Sequence, residues 1–341
     1  MADLGFDGKV AIITGAGGGL GRSHALDLAR RGALLVINDL GGSSDGTGHS
    51  ETAAQKVVDE IKAAGGEAVA NYDSVATPEG GESIVQTAVD TFGRVDIIIN
   101  NAGILRDTSF KNMTPDQVNP VLDVHLRGAF YVTQPAWQRM RDQGYGRIIN
   151  TASAAGIFGN FGQTNYGAAK MGLVGLTRVL AVEGAKNNIK ANSIAPVAKT
   201  RMTEELFGEA MDKLTPELVT PVVTYLAHED CPVTGEVYSV GGGRVARIFI
   251  GVTPGHFQPD LDAEAVRDNF DKIRDEAGYE VPSNLNEEMM LAFKSMGYKA
   301  PPTTSWPTTG RRRLLGRPPS GRCGGRSRWR RRSGRGDGRR R

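Results

Sequence analysis

Short apolar runs recur along the chain, and each is followed by a longer stretch in which apolar residues return every three or four positions. Lys9-Val10-Ala11-Ile12-Ile13, Ala33-Leu34-Leu35-Val36-Ile37-Asn38, Val95-Asp96-Ile97-Ile98-Ile99 and Arg147-Ile148-Ile149-Asn150-Thr151 are near-continuous runs of strand length. Strands covered on both faces read this way. Further strands are predicted over 67–71, 190–194 and 236–240. Helical spacing is predicted over 24–31, 51–64, 79–92, 116–141 and 166–186. Gly32 is a stop for the first helix, while Pro120 and Pro135 blur the ends of the fourth. The alternation of strand and helix runs without a break from Lys9 to about Val240. It predicts an α/β fold: one doubly wound parallel-sheet Rossmann domain with three α/β/α layers. This domain is placed at 6–244, an extension packing on the core or on a partner subunit at 245–298, and a tail at 299–341.

Between the first strand and the first helix stands Thr14-Gly15-Ala16-Gly17-Gly18-Gly19-Leu20-Gly21. Glycines let backbone approach a ligand closely, and a helix N-terminus offers free N–H groups and a positive dipole end. Gly15, Gly19, Leu20 and Gly21 are therefore expected to border a pyrophosphate. The second strand ends at Asp39, a little over twenty residues past the glycines. A carboxylate there suits the ribose 2′-hydroxyl of NAD and repels the 2′-phosphate of NADP.

A second constellation carries proton chemistry. Tyr166 and Lys170 lie four apart in Asn165-Tyr166-Gly167-Ala168-Ala169-Lys170, on one face of a predicted helix, with Ser153 upstream. A neighbouring cation favours the phenolate, which is expected to pull the Tyr166 pKa down toward the range useful for general-base catalysis. Ser153 is placed to donate a hydrogen bond to a substrate oxygen as charge develops. Ser153 and Tyr166 are thus the expected substrate contacts. The set reads as oxidation of a secondary alcohol; a non-catalytic NAD-binding scaffold would have no need of all three residues.

Together these motifs resemble the short-chain dehydrogenase/reductase family. Its glycine spacing is that of Thr14 to Gly21, its Asn-Asn-Ala-Gly motif is similar to Asn100-Asn101-Ala102-Gly103, and its Ser, Tyr and Lys match Ser153, Tyr166 and Lys170. The resemblance implies that Asp73 and Val75 contact adenine, and that Asn100 and Ala102 line the cofactor. It also implies that Tyr166 and Lys170 touch the cofactor, and that Pro196 and Thr200 belong to the segment closing over the nicotinamide. Most members carry Asn where His125 stands, a residue that holds a water in the proton relay; His125 serves either that relay or as a satisfied helix histidine. Val197 stands where many members have Gly. A narrower resemblance runs through Asn38-Asp39-Leu40-Gly41-Gly42, Asp123-Val124-His125-Leu126-Arg127-Gly128 and Gly159-Asn160-Phe161-Gly162-Gln163. It points to the subgroup formed by the dehydrogenase parts of peroxisomal type 2 multifunctional β-oxidation enzymes. That subgroup oxidises (3R)-hydroxyacyl-CoA with NAD. An acyl-CoA or a steroid-like alcohol is the implied small-molecule substrate, and a homodimer or homotetramer the implied assembly.

Charge changes the picture of the C-terminus. The net charge of +3 hides fourteen Arg and one acid, Asp337, from Arg311 onward, so the preceding chain is acidic. This Arg-, Gly- and Pro-rich tail cannot bury a core and is expected to be disordered. It is either a phosphate-binding tail, the one route by which nucleic acid would be a partner, or what GC-rich DNA yields out of frame; the second reading is favoured. Arg244 to about Gly297 keeps helical spacing at Val266, Phe270 and Ile273. The stretch from Lys199 to Leu218, with Met202, Leu206, Phe207, Met211 and Leu214, is apolar on one side, as a lid or as ordinary helix packing. No apolar run is long enough to span a membrane. Cys231 and Cys323 make neither a disulfide framework nor a metal site, and a reducing cytoplasm is the expected location.

Overall fold

The computed structural model describes residues 3–48, 50–198 and 213–298. Thr200, the apolar positions 202–211 and the tail from 299 lie outside the described residues. Strands β1 (Val10–Thr14), β2 (Leu34–Asn38), β3 (Glu67–Asn71), β4 (Ile97–Asn100), β5 (Gly146–Thr151), β6 (Ile189–Pro196), β7 (Val237–Gly241) and β8 (Arg244–Ile248) form one sheet in the order β3-β2-β1-β4-β5-β6-β7-β8. Every neighbouring pair is parallel except β7 and β8. The sheet is therefore doubly wound, as expected, with an antiparallel edge strand that the sequence reading did not contain. Gly242 and Gly243 both have positive φ and turn the chain back to form it. β8 crosses the boundary drawn at 244, so the sheet continues into the extension.

Both faces of the central strands are buried, which is why their sequences read as continuous apolar runs. Ala11, Ile13, Ile97 and Ile99 face one layer, with α1 (Gly19–Arg30), α2 (Thr52–Ala63) and α8 (Thr220–Ala227). Val10, Ile12, Ile98 and Ile148 face the other, with α3 (Pro78–Phe92) and α5 (Gly128–Gln143). Polar bonds fasten α1 to α8: His24 Nδ1 lies 2.8 Å from Thr220 Oγ1, and Thr224 Oγ1 donates to Asp27 Oδ2 at 2.7 Å.

The predicted helix over 116–141 is three pieces: α4 (Pro115–Leu122), a π turn (Asp123–Arg127) and α5. Pro120 and Pro135 sit inside the helices and do not end them. Pro120 has no N–H for the Asp116 carbonyl, and Arg106 Nη1 takes that acceptor at 2.7 Å. Short α6 (Ala154–Phe158) follows β5, and α7 (Thr164–Gly184) carries Tyr166 and Lys170. In the extension, α9 (Ala263–Asp268) and α10 (Phe270–Arg274) divide the helical spacing of Val266, Phe270 and Ile273 at Asn269, and α11 (Leu285–Ser295) follows. The extension touches the core where Arg178 Nη2 donates to the Pro282 carbonyl at 3.1 Å.

Candidate active site

At the C-terminal ends of the parallel strands lies a cleft of about 460 Å³. Its floor is the turn from β1 into α1. Thr14 Oγ1 accepts from the amides of Asn101 and Ala102 at 3.0 and 3.1 Å, while Asn101 Nδ2 donates to the carbonyls of Thr14 and Gly15, both at 3.0 Å. A Cβ on Gly15 would stand 2.7 Å from Ala102 Cα, so only glycine permits this approach. Gly18 caps α1 without a side chain, leaving the first-turn amides of the helix to the cleft.

Asp39 is held in place by two amides. Its Oδ2 accepts from Gly17 N at 2.8 Å and its Oδ1 from Gly41 N at 2.7 Å. Beyond it, Asn38 Nδ2 donates to Asn71 Oδ1 at 2.8 Å and to the Asp73 carbonyl at 2.9 Å. Asp73 Oδ2 accepts from Asn71 Nδ2 and Ser83 Oγ. The acid pair thus sits on a hydrogen-bonded shelf at one end of the cleft.

At the other end, Ser153 caps α6, its Oγ accepting from Ala155 N at 3.2 Å. The Tyr166 phenol lies close enough to Ser153 for the serine to act on its pKa. Lys170 is buried, its Nζ donating to the Thr151 carbonyl at 2.5 Å and lying 5.4 Å from the Tyr166 ring centre. Burial pushes the Tyr166 phenol above its ordinary value, with Ser153 pulling the other way. This reverses the downward shift expected from Lys170. Burial also lowers Lys170 to about 7, so near neutrality its charge is only partly present.

The π turn brings His125 into the same wall. Its ring meets the Tyr166 ring edge-on, centres 5.1 Å apart. Nε2 lies 3.1 Å from the Ile104 amide nitrogen and 2.7 Å from the Ile104 oxygen, and a neutral ring satisfies one of these at a time. Burial and the nearby Lys170 hold the imidazole well below its usual pKa, so it is neutral.

Gly15, Gly19, Leu20, Asp39, Asp73, Val75, Ala102, His125, Ser153, Tyr166, Lys170 and Pro196 all line the cleft. Two residues expected at the cofactor do not line it. Gly21 is buried under the turn, where a Cβ would meet the Gly15 carbonyl at 2.4 Å. Asn100 faces the sheet interior, donating to Thr133 Oγ1 at 3.1 Å and Asn150 Oδ1 at 2.9 Å. The sequence reading missed the loop after β2. Leu105 N donates to the Ser44 carbonyl at 2.9 Å and Arg106 Nε to the Asp45 carbonyl at 3.0 Å, so this loop bridges to the segment after β4. Its Ser-, Asp- and Gly-rich sequence signals only a turn.

Comparison with known proteins matches residues 9–210 to the short chain dehydrogenase family model. The chain belongs to that family. As a member it is an oxidoreductase with an NAD-binding Rossmann fold. It is 50% identical over 287 residues to peroxisomal multifunctional enzyme A of Dictyostelium discoideum, covering 84% of this chain and 64% of that one. It is 38% identical over 277 residues to a hydroxyacyl-CoA dehydrogenase of Mycobacterium tuberculosis, covering 75% of this chain and 83% of the relative. The structure of full-length peroxisomal multifunctional enzyme type 2 from Drosophila melanogaster superposes with a TM-score of 0.73 at 38% identity. That match covers 86% of this chain and half of the other. This short-chain dehydrogenase thus spans between about a third and two thirds of the length of the multifunctional relatives it matches. Among the described residues no helix is long and apolar enough to cross a membrane.

Proposed function

We propose that this chain oxidises (3R)-hydroxyacyl-CoA to 3-ketoacyl-CoA with NAD, in fatty-acid β-oxidation. The observation that carries the reading is the convergence of Ser153, Tyr166 and Lys170 on one end of a cleft whose other end presents Asp39 beside the glycine turn. The acyl-CoA assignment draws support from the name of the mycobacterial relative. The cleft fits a dinucleotide: Gly15 lets the floor pack against Ala102 without a side chain in the way, and a Cβ on Gly17 would strike Asp39 Oδ2 at 2.8 Å. The first turn of α1, Gly19 and Leu20 would hold the pyrophosphate, Asp39 the adenosine ribose, Asp73 and Val75 the adenine, and Pro196 with Thr200 the nicotinamide. When bound, the nicotinamide supplies the hydride acceptor.

The protein's own part is the proton. Ser153 donates a hydrogen bond to the substrate oxygen and orients it. The Tyr166 oxygen takes the hydroxyl proton. Lys170 titrates near neutrality beside the phenol, and in its charged form favours the phenolate. Neutral His125, edge-on to Tyr166 and tethered to Ile104, is assigned to the relay that carries the proton onward.

The test is to follow NADH formation with NAD and a medium-chain (3R)-hydroxyacyl-CoA, with the (3S) isomer alongside. Turnover of the (3R) isomer alone supports the proposal. Turnover of neither isomer overturns the acyl-CoA assignment and moves the search to 17β-hydroxysteroids and other bulky secondary alcohols. Tyr166→Phe should lower kcat about 10²–10⁴-fold and leave the NADH Kd within about twofold. Retention of wild-type kcat would remove Tyr166 from the proton transfer. For location, sparse cysteines support a reducing compartment, and two of the relatives are named as peroxisomal. Imaging of the chain at native level separates a diffuse cytoplasmic signal from a punctate one.

A further inference from the structure

Asn165 precedes Tyr166 and is buried at 3% exposure. Its carboxamide is fully used. Nδ2 donates to the Gln117 carbonyl of α4 at 2.7 Å and to the Arg106 carbonyl, in the loop after β4, at 3.0 Å. Oδ1 accepts from the Tyr166 amide at 2.8 Å. That amide belongs to the first turn of α7, where backbone N–H groups have no partner within the helix. The N-cap residue, Gln163, makes no side-chain capping bond, so Asn165 performs that task from inside the helix. One side chain therefore joins three segments at the residue that carries the reactive phenol.

The loop after β4 reaches Tyr166 by a second route. Ile104 holds His125, and His125 meets the Tyr166 ring edge. Arg106, whose carbonyl Asn165 binds, spans from the Asp45 carbonyl to the Asp116 carbonyl. Two neighbouring bonds tie the same loop to the approach of α7: Thr108 N to the Gly162 carbonyl at 2.9 Å, and Gln163 Nε2 to Asp107 Oδ2 at 2.6 Å. Those two act on the exposed loop ahead of α7, whereas Asn165 hydrogen-bonds its first turn from a buried position.

We propose that Asn165 is a positioning residue for the dehydrogenation. It fixes the first turn of α7 against the loop after β4 and against α4, and so places the Tyr166 hydroxyl in the cleft with Ser153. The side-chain chemistry is specific to a carboxamide. Two carbonyl acceptors need two N–H donors, and the Tyr166 amide needs an acceptor. Ala supplies none of these, and an ionised Asp would set a carboxylate against two carbonyl oxygens. The proposal rests on Tyr166 being the proton-transfer group.

The test compares Asn165→Ala and Asn165→Asp with wild type in kcat, KM, NADH affinity by fluorescence titration, and the NMR signal of ¹³Cζ-labelled Tyr166, assigned with Tyr166→Phe. A catalytic group displaced by about an ångström loses on the order of 10²-fold. Each folded variant should lose about 10–100-fold in kcat while the NADH Kd stays within about twofold, and the Tyr166 signal should move. A folded variant with wild-type kcat, or with NADH affinity falling in step with kcat, overturns the proposal. So does failure of both variants to fold, which would make Asn165 a folding requirement. If wild type turns over none of the alcohols, the substrate reading fails separately, and the Tyr166 signal still decides: unchanged in the variants, it overturns the positioning role.

Discussion

Lys170 shows how burial resets a side chain whose sequence position alone promised a simple cation. Its folded pKa is about 7 against 10.5 for the free group, and burial is the cause. Below about pH 7 both the folded and the unfolded chain hold the proton, and the fold carries the full cost of an enclosed ammonium. Between about 7 and 10.5 the unfolded chain keeps the proton that the fold has released, so stability rises with pH across that window. Lys170→Met should therefore raise the melting temperature at about pH 6, through relief on the order of a few kcal/mol. The gain should shrink toward about pH 9 while activity is lost throughout. Thermal melts of both proteins at the two pH values check this; an advantage that does not change with pH would show that Lys170 carries no buried-charge cost. The spacing of Ser153, Tyr166 and Lys170 was readable because i to i+4 on a helix is a local relation. The direction of the Tyr166 shift was not, because enclosure comes from distant residues.

Among the elements, the crossing of α3 and α5 depends on one missing side chain. A Cβ on Gly81 would stand 2.3 Å from the Tyr131 carbonyl oxygen and 2.5 Å from its carbon. That carbonyl is the one Pro135 leaves without its usual helical donor, so backbone irregularity on α5 faces a glycine on α3. Gly81→Ala must push the two helices apart and should cost about 1–3 kcal/mol, as overpacking does. Urea unfolding checks it, and an unchanged midpoint would show that the crossing relaxes freely. The strands Ile97–Asn100 and Gly146–Thr151 were legible as apolar runs. The π turn was not, because its residues keep ordinary helical composition. Short α6 gives too few residues for a period to register. Strand β8 was missed because its Arg244 and Arg247 follow an edge pattern, with one side open.

At the scale of the whole molecule, α5 and α7 pack side by side through Ala129, Leu173 and Leu176, and the exposed face of α7 is largely apolar, with Phe130 of α5 exposed as well. Phe130, Val179 and Val182 are 48, 55 and 59% exposed. We propose that a second copy of this chain covers that face, in a homodimer or homotetramer. Light scattering should give a multiple of the 36.4 kDa chain. Val182→Asp should shift it toward the monomer, whereas an assembly unaffected by that change would place the interface elsewhere.

The sequence by itself determined the alternation of strand and helix, the glycine turn with Asp39, and the Ser153, Tyr166 and Lys170 set. Each is written in residues close along the chain, through side-chain period, backbone freedom or covalent spacing. Tertiary structure alone decided what those residues experience. It set Arg106 between Asp45 and Asp116, fitted Asn165 to two carbonyls from separate segments, and turned the Asn100 side chain into the sheet and away from the cleft. It also raised Tyr166 and lowered Lys170 by enclosing them. The reason is the same in each case. Hydrogen-bond partners far apart in sequence leave no periodic trace, and desolvation belongs to the packed surroundings of a group, not to the group itself.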